Sequence, residues 1–366
     1  MKNALSRICY KEIFMKLIHC ADIHLDAPLE SVFPPEGARE YRRAVLSDFS
    51  ALVESADRNG ADALLIAGDL FDSDNTSERT VRHVLDLFRA HPNLSVFYLA
   101  GNHDGGGLTA RSDLPGNLHT FGQDWTYFDF GEVMIAGGTA PDPAALSLPP
   151  ERVNVVLLHG QVRGGGKGGE YSISFSKLKN KNIDYLALGH LHTYREATLD
   201  ARGIACYSGC LMGRGFDECG RKGYVLLETV NSRVNHTFVP FASRVFHEIP
   251  FDVSGYASCP ELESALRKET GNIPKTDFCR LVLKGQVDPE CPPDIRQLQT
   301  DLAGSFALLR IRDETTLRID PRNYENDISL KGEFIRRVLA SEQDSAEQER
   351  IIACGLRALR GEEPEI

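Results

Sequence analysis

Residues 15–26 read MKLIHCADIHLD. A short apolar run breaks off into a carboxylate, an imidazole and a second carboxylate. The same design returns four times: ALLIAGD at 63–69, VFYLAGN at 96–102, VVLLHG at 155–160 and YLALGH at 185–190. Each run has strand length and β-branched or aromatic content. Between the first two, Val45, Phe49, Leu52, Val53 and Ala56 fall on one helical face, and Gly60 suits the stop. Between the second and third, Val81, Val84, Leu85 and Phe88 form another such face. Strand, helix, strand predicts an α/β fold. In such sheets the chemistry sits outside the carboxyl ends of the strands, and all five polar clusters fall there.

Outward from this core the texture changes. Residues 1–14 read as an appendage, and Met15 as an alternative start. After His192 come four short extended runs, REATL, GIACYSG, GYVLLETV and RVNHTFVPF, with Asn231-Ser232 as a hairpin turn. They predict a second, more antiparallel sheet that closes a domain over 15–243. A small α+β unit follows over 244–326, with strands at 245–253, 278–287 and 306–312 and helices at 259–269 and 293–303. Over 327–366, Phe334, Ile335, Val338 and Leu339, then Ile351, Ile352, Leu356 and Leu359, predict two amphipathic helices. They either dock a partner or pack on their own domain.

Composition narrows the class. The chain has 366 residues, 42% hydrophobic and 25% charged, close to a globular average. No apolar run has the length of a membrane span, and no secretory signal is evident. Nine cysteines without a CxxC read as free thiols of a reducing cytoplasm. The net charge is −11, which argues against binding nucleic acid through the surface alone. The balance is uneven: residues 1–150 carry 12 basic and 21 acidic groups, whereas 151–250 carry 13 and 9.

The polar clusters hold Asp22 and His24, Asp69, Asn102 with His103 and Asp104, His159, and His190 with His192. Carboxylate, imidazole and amide oxygen suit borderline divalent metals such as Mn, Fe, Co, Ni or Zn. No thiolate takes part, which argues against a structural zinc site. Seven candidate ligands exceed the set of one open catalytic metal. Two metals sharing a ligand fit better, and such a pair clamps the oxygens of a phosphoryl displacement. In Asp22-x-His24 and His190-x-His192 the two-residue spacing at a strand end predicts side chains on one side. Glycines before Asp69, Asn102 and His190 predict sharp exits from the strands. Five of the eleven histidines fall in these clusters; His19, His83, His91, His119, His236 and His247 read as structural.

The ordered set D-x-H, GD, GNHD, HG, GHLH resembles the calcineurin-like metallophosphoesterases over about residues 15–240. ADIHLDAPLE with GDLFD, LAGNHD and LGHLH resembles their DNA repair nuclease branch, the SbcD-like and YhaO-like proteins. The resemblance implies a four-layer αββα sandwich, followed by the α+β unit as a cap domain and the C-terminal helices. Carried over by motif, one metal takes Asp22, His24 and His192, the other takes Asn102, His159 and His190, and Asp69 bridges them. Manganese is the expected metal. His103 does not ligate but serves the leaving oxygen, with Asp104, Asp26 and Asp72 as orienting carboxylates. Asp72 of GDLFD stands where some nuclease members have His, which leaves the balance of exonuclease and endonuclease action open. Cys210 stands where members often have Ser, which reads as a packing change. The implied partners are DNA and an SMC-like coiled-coil ATPase docked by the C-terminal helices, with a homodimer also implied.

The loop RGGGKGGEYS at 163–172 lacks the GK[ST] ending of an ATP-binding loop. Arg163 and Lys167, in the one positive stretch, are candidates to track a DNA backbone; a solvated charged face is the alternative. The leading reading is a metal-dependent DNA nuclease. The second is a small-molecule phosphodiesterase or phosphatase on the same scaffold. Protein phosphatase texts such as GDYVDRG are absent, and a non-catalytic scaffold ranks last because every metal and acid position is filled.

Overall fold

The computed structural model describes residues 15–72, 76–105, 108, 111–163, 171–256, 258–288, 293–359 and 361. The chain divides into two compact units, Met1–Val245 and Phe246–Ile366.

In the first unit, the strands are β1 (Met15–Cys20), β2 (Ala63–Ala67), β3 (Ser95–Leu99), β4 (Leu118–Thr120), β5 (Thr126–Phe130), β6 (Val133–Gly137), β7 (Val153–His159), β8 (Gln161–Arg163), β9 (Ser172–Ser174), β10 (Tyr185–Gly189), β11 (Arg195–Thr198), β12 (Ile204–Tyr207), β13 (Gly223–Val230) and β14 (Arg233–Pro240). Its helices are α1 (Pro35–Arg58), α2 (Glu78–Ala90) and the single turn α3 (Phe175–Leu178). Two six-stranded sheets form, in the orders β14-β13-β1-β2-β3-β4 and β11-β12-β10-β7-β6-β5. Strands β1, β2 and β3 are parallel in one sheet, and β7, β10 and β12 in the other.

Alternation along the strands explains the layers. Leu17, Leu65 and Phe97 of the first sheet meet Val155, Leu157 and Ala187 of the second in one core. Each such side chain contributes about 1.5–3 kcal/mol by leaving water. The alternate residues face outward. Helices α1 and α2 connect β1, β2 and β3, and their Val45, Phe49, Leu52, Val81, Val84 and Phe88 are buried. Over the second sheet, Val156, Leu186 and Leu188 pack under Leu146, Leu178 and Leu199 from α3 and the loops.

The four runs after His192 do not form a sheet of their own. Strands β11 and β12 extend the sheet of β10, whereas β13 and β14 extend that of β1. β12 lies parallel to β10, and β13 antiparallel to β1. Local alternation marks a strand but not its neighbour, and long-range pairing decides that. The Asn231-Ser232 turn is as expected, with both residues left-handed at φ 50° and 59°, the form that matches strand twist.

In the second unit, β15 (Phe246–Asp252), α4 (Cys259–Glu269), β16 (Phe278–Lys284), α5 (Ile295–Asp301) and β18 (Leu308–Asp313) build a three-stranded parallel sheet, with β17 (Gln286–Val287) and β19 (Thr316–Leu317) paired beside it. Helices α6 (Leu330–Leu339) and α7 (Ser345–Leu359) spend their apolar faces on each other. Ile335, Ile352 and Leu356 close over Tyr324, with Leu317 and Ile319 at the margin. Ile328 and Leu330 stay exposed. Among the described residues no helix is long and apolar enough to cross a membrane.

Candidate metal centre

The loops after β1, β2, β3, β7 and β10 meet at one edge of the two sheets. Backbone pairing runs on past the strands: Asp22 N–H donates to Gly68 O and His24 N–H to Asp69 O, both at 3.0 Å. This continuation forces an unusual backbone. Asp22, His24 and Asp69 are left-handed at φ 53°, 50° and 54°, and His190 lies at 101°. Each such residue costs about 1–3 kcal/mol. The expectation that strand alternation aims Asp22 and His24 together is therefore corrected: β1 ends at Cys20, and left-handed turns aim them. The glycines also need refinement. Gly68 has φ +92°, as a sharp exit requires, but Gly189 is needed for closeness, since a Cβ there would lie 1.9 Å from Ala67 O.

All seven expected ligands come together. His24 Nε2 and His192 Nε2 are 3.2 Å apart. His159 Nε2 lies 2.9 Å from Asn102 Oδ1, and His190 Nδ1 lies 3.3 Å from the same oxygen. Asp69 Oδ2 stands between the two groups, 3.7 Å from His24 Nε2 and 3.3 Å from His159 Nε2. The Asp22 carboxylate accepts the His190 N–H at 2.8 and 3.0 Å. Asp22, His24 and His192 could share one ion, and so could Asp22, Asp69 and His159.

The donor set fits cations on chemical grounds. His24 Nδ1 is 2.8 Å from Asp72 Oδ1, and His192 Nδ1 is 2.6 Å from Glu218 Oε1. Ionised carboxylates only accept, so each Nδ1 carries the proton and each Nε2 presents a lone pair. The two lone pairs face one another, an arrangement that repels unless a cation lies between them. His159 repeats the pattern: its Nδ1 donates to Ala67 O at 2.9 Å, which leaves Nε2 toward the oxygens of Asn102 and Asp69. Electrostatics agree. Burial opposes a charged His159, but the Asp69 and Asp22 carboxylates outweigh it and push its pKa up to about 9. Burial likewise opposes a charged Asp69, yet His159 pulls it down to about 2. A proton thus takes the place a metal would occupy. Burial raises Asp22 to about 6 and lowers His24 to about 4.

The remaining expected residues divide. His103 donates its backbone N–H to Asp69 Oδ1 at 2.8 Å; its ring is not one of the seven, but its Nδ1 lies 3.7 Å from Asp72 Oδ1, and His24, Asp72 and His103 are close enough to share an ion. The His103 ring packs edge-on against His24 at 4.9 Å and is 43% exposed. Asp104 is buried and ties two loops together, accepting the N–H groups of Asp69, Phe71 and Gly101 at 2.7–2.8 Å. Asp72 holds His24. Asp26 does not orient a ligand: its carboxylate accepts the Ser77 N–H at 2.9 Å, because its own left-handed turn, φ 65°, carries it toward α2. Arg163 lies on β8, and Lys167 falls outside the described residues. Cys210 does more than fill space, since its thiol reaches Glu218 Oε2 at 3.6 Å. Sequence reasoning missed Glu218 and Arg214. The signal was available: β12 is parallel to β10, so the polar loop GRGFDECG after it leaves the same edge.

The strand ends of this two-sheet α/β sandwich gather acceptor groups suited to divalent cations. Residues 15–194 match the family model of calcineurin-like phosphoesterases. The chain is 26% identical over 294 residues to an uncharacterized metallophosphoesterase YhaO of Bacillus subtilis, covering 74% of this chain and 72% of that one. It is 38% identical over 91 residues to a DNA double-strand break repair protein Mre11 of Aeropyrum pernix, 24% of this chain and 21% of the relative. A dimetal phosphatase from Danio rerio superposes with a TM-score of 0.39 at 12% identity, over 62% of this chain and 99% of that one.

Proposed function

We propose that this protein is a metal-dependent nuclease that hydrolyses phosphodiester bonds in DNA, with manganese as its metal. The observation that carries the reading is the rim itself: seven acceptor ligands with one exposed imidazole, His103, beside them. Two relatives that share about a quarter of this chain are DNA double-strand break repair proteins by name, which favours DNA as the substrate. Asp22, His24 and His192 would hold one ion, and Asn102, His159 and His190 the other, with Asp69 serving both. When bound, such ions neutralise the phosphate and lower the pKa of water at the rim. The protein's own part is positional. Asp72 and Asp104 fix His24 and Asp69 before substrate arrives. His103 is free of the ligand set and close to it, so it donates a proton to the leaving oxygen.

Exposed Ile328 and Leu330 at the start of α6 offer a docking point for a coiled-coil ATPase of the SMC type, which would supply the grip on DNA that a net charge of −11 denies this chain. Replacing both with Asp should abolish co-purification with such an ATPase while ester hydrolysis persists; retained co-purification would reject the docking point.

A second reading is a small-molecule phosphodiesterase. A cleft of about 470 Å³ beside His159, lined by Phe121, Gln123, Thr139 and Tyr171, has room for a nucleotide, and the acidic surface suits a small substrate. One assay separates the readings. Manganese-dependent degradation of labelled linear DNA is measured beside hydrolysis of bis-p-nitrophenyl phosphate, with His103→Ala as control. Hydrolysis of both supports the nuclease; hydrolysis of the small ester alone supports the alternative.

A further inference from the structure

We propose that Arg214 is a positioning residue that locks His24 and His192 as a unit, and so sets the affinity of one of the two metal positions apart from the other. The inference rests on the dinuclear reading above and deepens it.

The geometry is a closed ring of five side chains. His24 Nδ1 meets Asp72, and His192 Nδ1 meets Glu218. Arg214 joins the two carboxylates and also reaches a ring directly, its Nη2 3.3 Å from His192 Nδ1. Its Nη1 lies 3.5 Å from Asp72 Oδ1 and its Nε 3.6 Å from Glu218 Oε1. Its backbone N–H donates to Glu218 Oε2 at 2.9 Å. The ring closes where His24 Nε2 and His192 Nε2 stand 3.2 Å apart. One planar cation therefore spans both anions that orient the imidazoles, a task suited to the rigid fork of Arg rather than the point charge of Lys. Without it, two carboxylates behind one metal position would repel, and each could swing its ring.

The other position has a different backing. His159 is held from behind by a neutral carbonyl, Ala67 O. The clamp thus acts on one half of the site. Lys222 adds to the same half by donating from Nζ to His192 O at 2.9 Å. Carboxylates hydrogen-bonded to ligand imidazoles raise their basicity, and loss of such partners typically costs about 10–100-fold in metal affinity. Arg214 is 27% exposed, so a phosphate contact is the competing role.

Metal-stripped wild type, Arg214→Gln and Arg214→Lys are titrated with Mn2+ by calorimetry. Folding of each variant is checked by circular dichroism and thermal melting. Wild type should take two equivalents. In Arg214→Gln one equivalent should weaken by about 10–100-fold while the other stays within about twofold, and Arg214→Lys should recover only part of the loss. KM for bis-p-nitrophenyl phosphate should hold, and kcat should return as manganese is raised. An unchanged titration with a raised KM would make Arg214 a phosphate contact and overturn the proposal. Equal weakening of both equivalents would overturn it too. Failure of the underlying reading looks different: wild type itself would bind fewer than two equivalents.

Discussion

The strand ends of the first unit and those of the second are built alike, from parallel strands joined by helices, yet their polar side chains behave differently. In the second unit, β15 and β18 end in Asp252 and Asp313. Asp252 Oδ1 accepts the Ser254 N–H at 2.9 Å, and Asp313 Oδ1 accepts the Thr315 N–H at 2.9 Å and its hydroxyl at 2.7 Å. These acceptors meet donors. At the rim of the first unit, acceptor meets acceptor: His24 Nε2 faces His192 Nε2, and without metal a proton on His159 has to separate its Nε2 from Asp69 Oδ2. Topology brings carboxylates to an edge in both units. Only the deliberate mismatch of lone pairs makes a place for cations, and it is maintained at the cost of left-handed backbone at Asp22, His24, Asp69 and His190.

Matched substitutions break this contrast most forcefully. Asp69→Ala removes the one carboxylate that serves both groups. It should lower kcat/KM for bis-p-nitrophenyl phosphate by roughly 10^4-fold or more, since several kcal/mol of charge stabilisation are at stake, and reduce bound metal as read by elemental analysis. Asp252→Ala in the second unit should leave kcat/KM within about twofold, because a turn-capping carboxylate contributes about 1 kcal/mol to local stability. Comparable losses in both would erase the distinction.

His103→Ala sharpens it. The ring lies beside the ligands without joining them, so kcat should fall about 10^2- to 10^4-fold while metal content stays at two equivalents. Metal loss equal to that in Asp69→Ala would place His103 among the ligands.

A third expectation concerns pH and the metal-free protein. The His159 pKa is raised to about 9 by Asp69 and Asp22, against its burial. Its contribution to stability is therefore full below the unfolded value of about 6.5 and is lost as pH rises through about 9. The Asp69 pKa is depressed to about 2, so its contribution is present above about 3.9 and is lost as pH falls through about 2. The melting temperature of metal-free protein should decline between pH 7 and 10 (roughly the span of the His159 shift). With manganese bound, His159 must be neutral already, so this decline should vanish. A parallel decline with and without metal would detach His159 from the ion.

Much of this was legible in the sequence, for a physical reason. A strand and the polar cluster at its end are contiguous, so LIHCAD, ALLIAGD and YLALGH announce both the element and the ligands it carries. The faces of α1 and α2 and the bounds of α4 follow from local periodicity. What escaped depends on partners far along the chain. Whether β11 and β13 share a sheet is decided by pairing with β10, through β12, and with β1, not by their own residues. Glu218 and Arg214 look like an ordinary charged loop until β12 brings them behind His192. Asp26 looks like a third rim carboxylate, but a backbone turn takes it to Ser77. The ligands and Asp104, which ties the Asp69 loop, could be read from the motifs; Glu218 and Arg214, which hold His192 from a distant loop, could not.

The smallest effect separates strain that serves a site from strain that merely closes a turn. Ser232 is left-handed at φ 59° between β13 and β14, much as Asp69 is left-handed at 54° on the rim. Glycine carries no Cβ penalty in this region, whereas other L-residues lose about 1–2 kcal/mol there. Ser232→Gly should thus stabilise the protein by about 0.5–1 kcal/mol in urea unfolding, after the added chain entropy is subtracted, with hydrolysis unchanged. The same relief at Asp69 removes the carboxylate for which the backbone was bent. If Ser232→Gly destabilised the protein, left-handed backbone would carry no measurable cost in this fold, and the strain at the rim could not be read as a mark of function.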